Sequence, residues 1–95
     1  GKVQEVEAWV VNAQLDATIH KINKMCDDVY KETWDLIEKK TNLSQKDEQN
    51  MQKIVKSCIG QVVKTPINQL KGMEKKSEIE SMKSALEYLY DMEEV

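Results

Sequence analysis

Residues Lys2 to Lys40 contain neither glycine nor proline, so nothing in this stretch punctuates a helix. Its apolar positions recur at helical spacing. Leu15, Ile19, Ile22, Cys26, Val29 or Tyr30, Thr33 or Trp34, and Ile37 follow a period of about 3.67, which predicts a straight amphipathic helix and not a heptad seam. Val3, Val6, Val10 and Ala13 form a second stripe at another phase, with Trp9 beside it. Either the helix breaks near Asn12 to Asp16, or its N-terminal end is buried on two faces.

Thr41-Asn42-Leu43-Ser44 is the first stop. Ser44, followed by Asp47 and Glu48, reads as an N-cap with acids in the first turn. The next helix carries Met51, Ile54, Val55, Cys58, Ile59, Val62 and Val63 on one broad face. It is expected to end at Thr65-Pro66, because proline disfavours helical geometry in the residue before it. The same dipeptide would start a third helix, with Ile67, Leu70 and Met73 on its apolar side. Ser77-Glu78-Ile79-Glu80 is a capping-box pattern, and the last helix buries Ile79, Met82, Ala85 or Leu86, Leu89 and Met92. Three glycines and one proline are too few for the turns of a β-sandwich. With 40% apolar and 33% charged residues the chain has a globular balance. The expectation is one all-α domain over residues 1–95, a small antiparallel bundle of three to five helices.

Cys26 and Cys58 lie on the apolar stripes of the first two helices, each 16 residues from Asn42. In an antiparallel hairpin, residues equidistant from the loop face each other. The same register sets Ile22 against Val62, Tyr30 against Ile54 and Trp34 near Met51. This predicts a disulfide-braced hairpin, Cys26 to Cys58, which would stabilise the domain by roughly 3–4 kcal/mol in the chain-entropy model. Reduced, buried cysteines are the alternative. A disulfide implies secretion, and Asn42-Leu43-Ser44 is a glycosylation sequon at the expected hairpin tip.

A net charge of −3 argues against a nucleic-acid partner, whose phosphates reward a basic face. No apolar run approaches the ~18 residues of a membrane span. The chain opens at Gly1 with no signal peptide, and it is read as a processed or trimmed form. The one histidine, His20, has Asp16 a turn before it, but no third ligand is indicated, so no metal site is expected. Phosphate-binding loops and catalytic motifs are not found. The chain is therefore read as a non-enzyme that takes no cofactor.

Binding has more support. The hairpin would cover only the later half of the first helix. A straight helix would leave residues 2–18 projecting by about 25 Å, and an apolar overhang of that length calls for cover. Trp9, Val10 and Val11 are therefore the candidate partner-binding residues.

Glu5-Val6-Glu7-Ala8-Trp9-Val10, and Leu36 to Ser44 followed by Gln45-Lys46-Asp47-Glu48, resemble the nematode secreted antigens of SXP type across residues 5–67. The resemblance implies a small secreted helical protein that meets the host immune system. The cysteine pair departs from that pattern. The leading expectation is thus a secreted, non-enzymatic protein that binds a host protein, with dimerisation possible. The alternatives are a carrier whose Met-lined interior holds a small apolar ligand, and a cytosolic helical adaptor domain with reduced cysteines.

Overall fold

A computed structural model describes the backbone of residues 2–92 and the side chains of residues 9–92. The stripe positions Val3 and Val6 lie outside the described side chains. Three helices form: α1 (Lys2–Lys40), α2 (Gln45–Lys71) and α3 (Lys76–Leu89). No strand occurs among the described residues.

Of the two expectations for α1, the unbroken helix holds. Its 39 residues span about 58 Å at 1.5 Å per residue, which matches the 60 Å long axis of the molecule. The radius of gyration is 17.4 Å, against about 12 Å for a compact chain of this size. The protein is a rod whose length α1 sets.

Thr41 closes α1, its backbone N–H and hydroxyl both donating to the Ile37 carbonyl. Thr41 to Ser44 then turn the chain, and the expected cap is present. Ser44 is extended (φ −66°, ψ 161°), and its Oγ accepts from the Asp47 N–H at 3.2 Å. That contact satisfies one of the amides a helix start leaves bare.

The expected break at Thr65-Pro66 does not occur, since α2 runs through Pro66 to Lys71. Proline at 66 leaves the Val62 carbonyl without its helical donor. Val62, Thr65 and Pro66 are all exposed, so water replaces that donor at little cost. The helix stops at Gly72, whose N–H donates to the Asn68 and Gln69 carbonyls at 3.2 Å each. The Ser77 capping box is also corrected. α3 begins two residues earlier, with Lys75 in the cap position and no side-chain cap bond.

The buried core comprises Val11, Leu15, Thr18 and Ile22 of α1, Leu70 of α2 and Ile79 of α3. Ile19, Cys26, Val63, Ile67, Met73 and Leu86 pack around it. Thr18, 1% exposed, meets the cost of burying a hydroxyl by donating to the Gln14 carbonyl at 3.0 Å. All three helices meet here because α3 turns back along α1. Lys21 Nζ donates to Glu87 Oε1 at 2.7 Å between side chains 9% and 16% exposed. The second expectation, an N-terminal end buried on two faces, is not met at the described positions of that stripe: Val10 is half-buried, and Trp9 and Ala13 are exposed. From residue 23 to residue 62 no side chain is buried.

The disulfide is corrected as well: Cys26 and Cys58 are both free, Cys26 half-buried and Cys58 exposed. The expected register was off by about one residue. Lys56 Nζ lies 5.0 Å from the Tyr30 ring, and Cys26 shares a hollow with Ile59 and Gly60. The turn spans 41–44, so its centre falls after Asn42. One residue on a helix is 100° of rotation, which puts Ile59 opposite Cys26 and turns Cys58 outwards.

Candidate functional site: the open face of the hairpin

Seven apolar residues in thirteen make the face of α2 wider than one neighbouring helix covers. Val55, Ile59, Val63, Ile67 and Leu70 point towards α1 and are half-buried or buried. Ile54, Cys58 and Val62 form a parallel stripe about 100° round the helix. Ile54 is 62% exposed, Val62 is 72% exposed, and Cys58 is exposed between them.

On α1 the same division recurs. Cys26, Tyr30 and Ile37 turn towards α2 and are half-buried. Met25, Val29 and Leu36 lie to one side, and Val29 and Leu36 are 45% and 57% exposed. They continue the side of α1 that carries Lys21, the residue that reaches Glu87 of α3. In antiparallel right-handed helices this geometry puts Val29 and Leu36 on the same side of the hairpin as Ile54, Cys58 and Val62. The two helices thus present one contiguous apolar face, in line with α3 but beyond its end.

The opposite side of the hairpin is different in kind. A hollow of about 340 Å³ lies between α1 and α2, lined by Cys26, Tyr30, Ile59, Gly60 and Val63 but also by Asn23, Asp27 and Lys56. It is open and partly charged. Burial, and then the neighbouring Asp27 carboxylate, push the Cys26 thiol above its ordinary range. That keeps the thiol protonated and poorly nucleophilic.

The expected partner residues are separated by the structure. Trp9 is 71% exposed, Val10 is half-buried, and Val11 belongs to the core at 9%. Trp9 sits some 30 Å along α1 from Val29, so it is not part of the hairpin face. Asn42 is exposed in the turn. His20 and Asp16 are both exposed, and no three metal-ligating side chains come together among the described residues. No helix among the described residues is long and apolar enough to cross a membrane. The carrier expectation is corrected too: none of the five methionines is buried, so there is no Met-lined interior.

A helical rod that leaves one apolar face uncovered has the build of an association module. The chain matches the family described as the glutamyl-tRNAGlu reductase dimerisation domain over residues 1–92, and it belongs to that family. It is 32% identical over 77 residues to the glutamyl-tRNA reductase of Clostridium novyi (strain NT), an alignment covering 81% of this chain and 19% of that protein. The chain therefore spans about a fifth of the curated relative it matches. No solved structure matches.

This membership overturns the resemblance to SXP antigens. Short amphipathic motifs such as Glu5 to Val10 and Leu36 to Ser44 recur wherever helices share a polar-apolar rhythm, and these belong to another family. The secreted location, the host-protein partner and the antigen role fall with it. Their other support was the disulfide, and both cysteines are free. The adaptor-type domain with reduced cysteines stands nearest to the finding.

Proposed function

We propose that this chain is the module through which a glutamyl-tRNA reductase forms a dimer, and that the open hairpin face is the surface the dimer covers. One observation carries the reading. Val29, Leu36, Ile54 and Val62 stay between 45% and 72% exposed on one side of a hairpin that buries no side chain of its own between residues 23 and 62. Contiguous apolar surface of this kind is stabilised by association. A family of dimerisation domains supplies the partner's identity: a second copy.

The chain itself is not the catalytic part under this reading, and reduction of glutamyl-tRNA belongs to the remainder of the longer protein. Its compartment is then the one that holds aminoacyl-tRNA, where free thiols are ordinary. Trp9, with Val10 beside it, is kept as a second partner-binding position at the other end of α1, whereas Val11 serves the core. Sedimentation equilibrium tests the proposal. The chain should show about twice its 11.0 kDa mass at micromolar concentration, and Val62→Lys should return it to monomer with its helical circular dichroism intact. A monomer at every concentration overturns the reading.

A further inference from the structure

Charge is unevenly placed along this chain. Residues 45–71 hold five lysines against Asp47 and Glu48, a net +3, while the rest of the chain holds nine lysines against fifteen acids, a net −6. From Gln49 to Met73 no acidic residue occurs. The overall charge of −3 therefore describes α1 and α3 and hides a basic α2. We propose that the outer face of α2 is a second binding surface, on which Lys46, Lys53, Lys64 and Lys71 hold the phosphate backbone of a base-paired RNA stem. The phosphate contact rests on those lysines, and the choice of RNA rests on the reductase reading above.

Helix geometry lines the four lysines up. At 3.6 residues per turn, 18 residues make five turns, and seven fall about 20° short of two. Lys46 and Lys64 are 18 residues apart, as are Lys53 and Lys71, and seven residues separate Lys46 from Lys53 and Lys64 from Lys71. All four stand within about 20° of one line, over a length of about 38 Å. They are exposed, and none joins an ion pair among the described residues. Lys56 is not part of the row, since it is turned over the Tyr30 ring and lines the hollow with Asp27. The row lies about 130° round α2 from Ile54, Cys58 and Val62, so it stays bare when a second copy covers the open face.

The other residues of this face select the occupant. Asn50, Ser57, Gly60, Gln61 and Asn68 stand on or beside the row, all exposed. A protein hot spot or a membrane surface calls for apolar or aromatic anchors, and the described face has none. A single strand calls for aromatic rings on which its bases stack, and the face lacks those too. Ammonium, hydroxyl and amide groups are the ones that contact duplex phosphates, where they fix position without reading sequence. Neighbouring lysines of the row are about 10 Å or more apart, a Debye length at physiological salt. The row therefore repels itself little, and each lysine can meet a phosphate of its own.

Fluorescence anisotropy of a labelled RNA duplex, titrated with the 95-residue chain across a range of salt, tests the surface. The expected dissociation constant is about 10–100 μM at low salt, and log affinity should fall against log salt with a slope of about −3 to −4, from four phosphates at about 0.9 each. Lys53→Glu with Lys64→Glu should weaken binding by about tenfold or more. Lys24→Glu with Lys31→Glu makes the same change of net charge at exposed positions on the outer side of α1, and should weaken it by less than about threefold. Equal losses in the two variants, or no binding at the lowest salt, overturn the surface. Tighter binding to the same RNA unpaired, to a DNA duplex or to phosphatidylserine vesicles overturns the RNA stem as its occupant. If the first variant loses its helical circular dichroism, Lys53→Gln with Lys64→Gln is compared with Lys24→Gln and Lys31→Gln instead, on the same criterion. Mass by light scattering on the same samples separates the two readings. A dimer that binds no RNA overturns this surface alone, and a monomer that binds RNA through these lysines overturns dimerisation and leaves the surface standing.

Discussion

The two ends of this rod are built from the same long helix and end in different states. At one end α1 is flanked by α2 and α3, and Ile22, Leu70 and Ile79 are at most 3% exposed. At the other, α1 has only α2, and Val62 is 72% exposed. The residue types hardly differ. What differs is the number of neighbours, since two helices can bury one stripe each and a third is needed to enclose a core. The lesson is that an apolar stripe marks where a neighbour is wanted, without saying that the same chain provides it.

Substitutions should separate the ends by kind of effect. Ile79→Ala removes a fully buried side chain where all three helices meet. It should cost about 2–5 kcal/mol, read as a lowered denaturation midpoint at every protein concentration. If the midpoint moves by less than about 1 kcal/mol, the three-helix core is misassigned. Ile54→Lys or Val62→Lys at the open end should barely change the unfolding of the isolated monomer, yet weaken dimerisation by at least tenfold, which is about 1.4 kcal/mol. Titration of the sedimentation profile measures it, and an unchanged dimer constant would remove that face from the interface.

Smaller changes sharpen the comparison. Ser44→Ala loses the cap at the hairpin tip and should cost about 1 kcal/mol of stability. At Gly60 an added Cβ meets nothing within 4 Å, so Gly60→Ala should stabilise the chain by about 0.5–1 kcal/mol. It should also leave the dimer intact, because Gly60 lines the hollow and not the open face. Loss of dimer in Gly60→Ala would instead assign the hollow to the interface. The least effect is expected at Glu87. The hydrogen bond from Lys21 holds its carboxyl below the usual glutamate range. A depressed carboxylate stabilises the fold above its unfolded value, and that contribution is lost as the pH falls through the folded one. Glu87→Gln should therefore flatten the acid limb of the stability profile slightly, and an identical profile would show the pair to be idle.

Much of the fold could be read from the residues. The stretch without glycine or proline predicts α1, and Ser44 with Asp47 predicts the cap that forms. Pro66 misleads because the rule against proline in helices assumes a carbonyl with no alternative donor, and that of Val62 faces water. The cysteine pair misleads because counting from Asn42 instead of from the middle of the turn rotates α2 by one residue. The open face was visible only as excess: Ile54, Cys58 and Val62 stand beside Val55, Ile59 and Val63, two stripes where one neighbour was proposed. Periodicity cannot tell whether the second stripe faces a helix of its own chain or of another. Trp9 attracted the binding expectation as an apolar aromatic in an overhang; α2 runs past Pro66 and with α3 covers α1 at Val11 and Leu15, while Trp9 stays 71% exposed and the wider apolar surface lies at the hairpin.

Cys58 offers a native probe of whether a second copy covers the open face. It lies on that face between Ile54 and Val62, whereas Cys26 lies in the hollow on the other side of the hairpin. Alkylation of the unmodified protein, followed separately at the two cysteines across protein concentrations, compares the two surfaces in one sample. The predicted result is rapid modification of Cys58 in dilute monomer and slowing by at least tenfold once the dimer forms, with Cys26 modified slowly throughout. Equal Cys58 rates in monomer and dimer would contradict the assignment of this face.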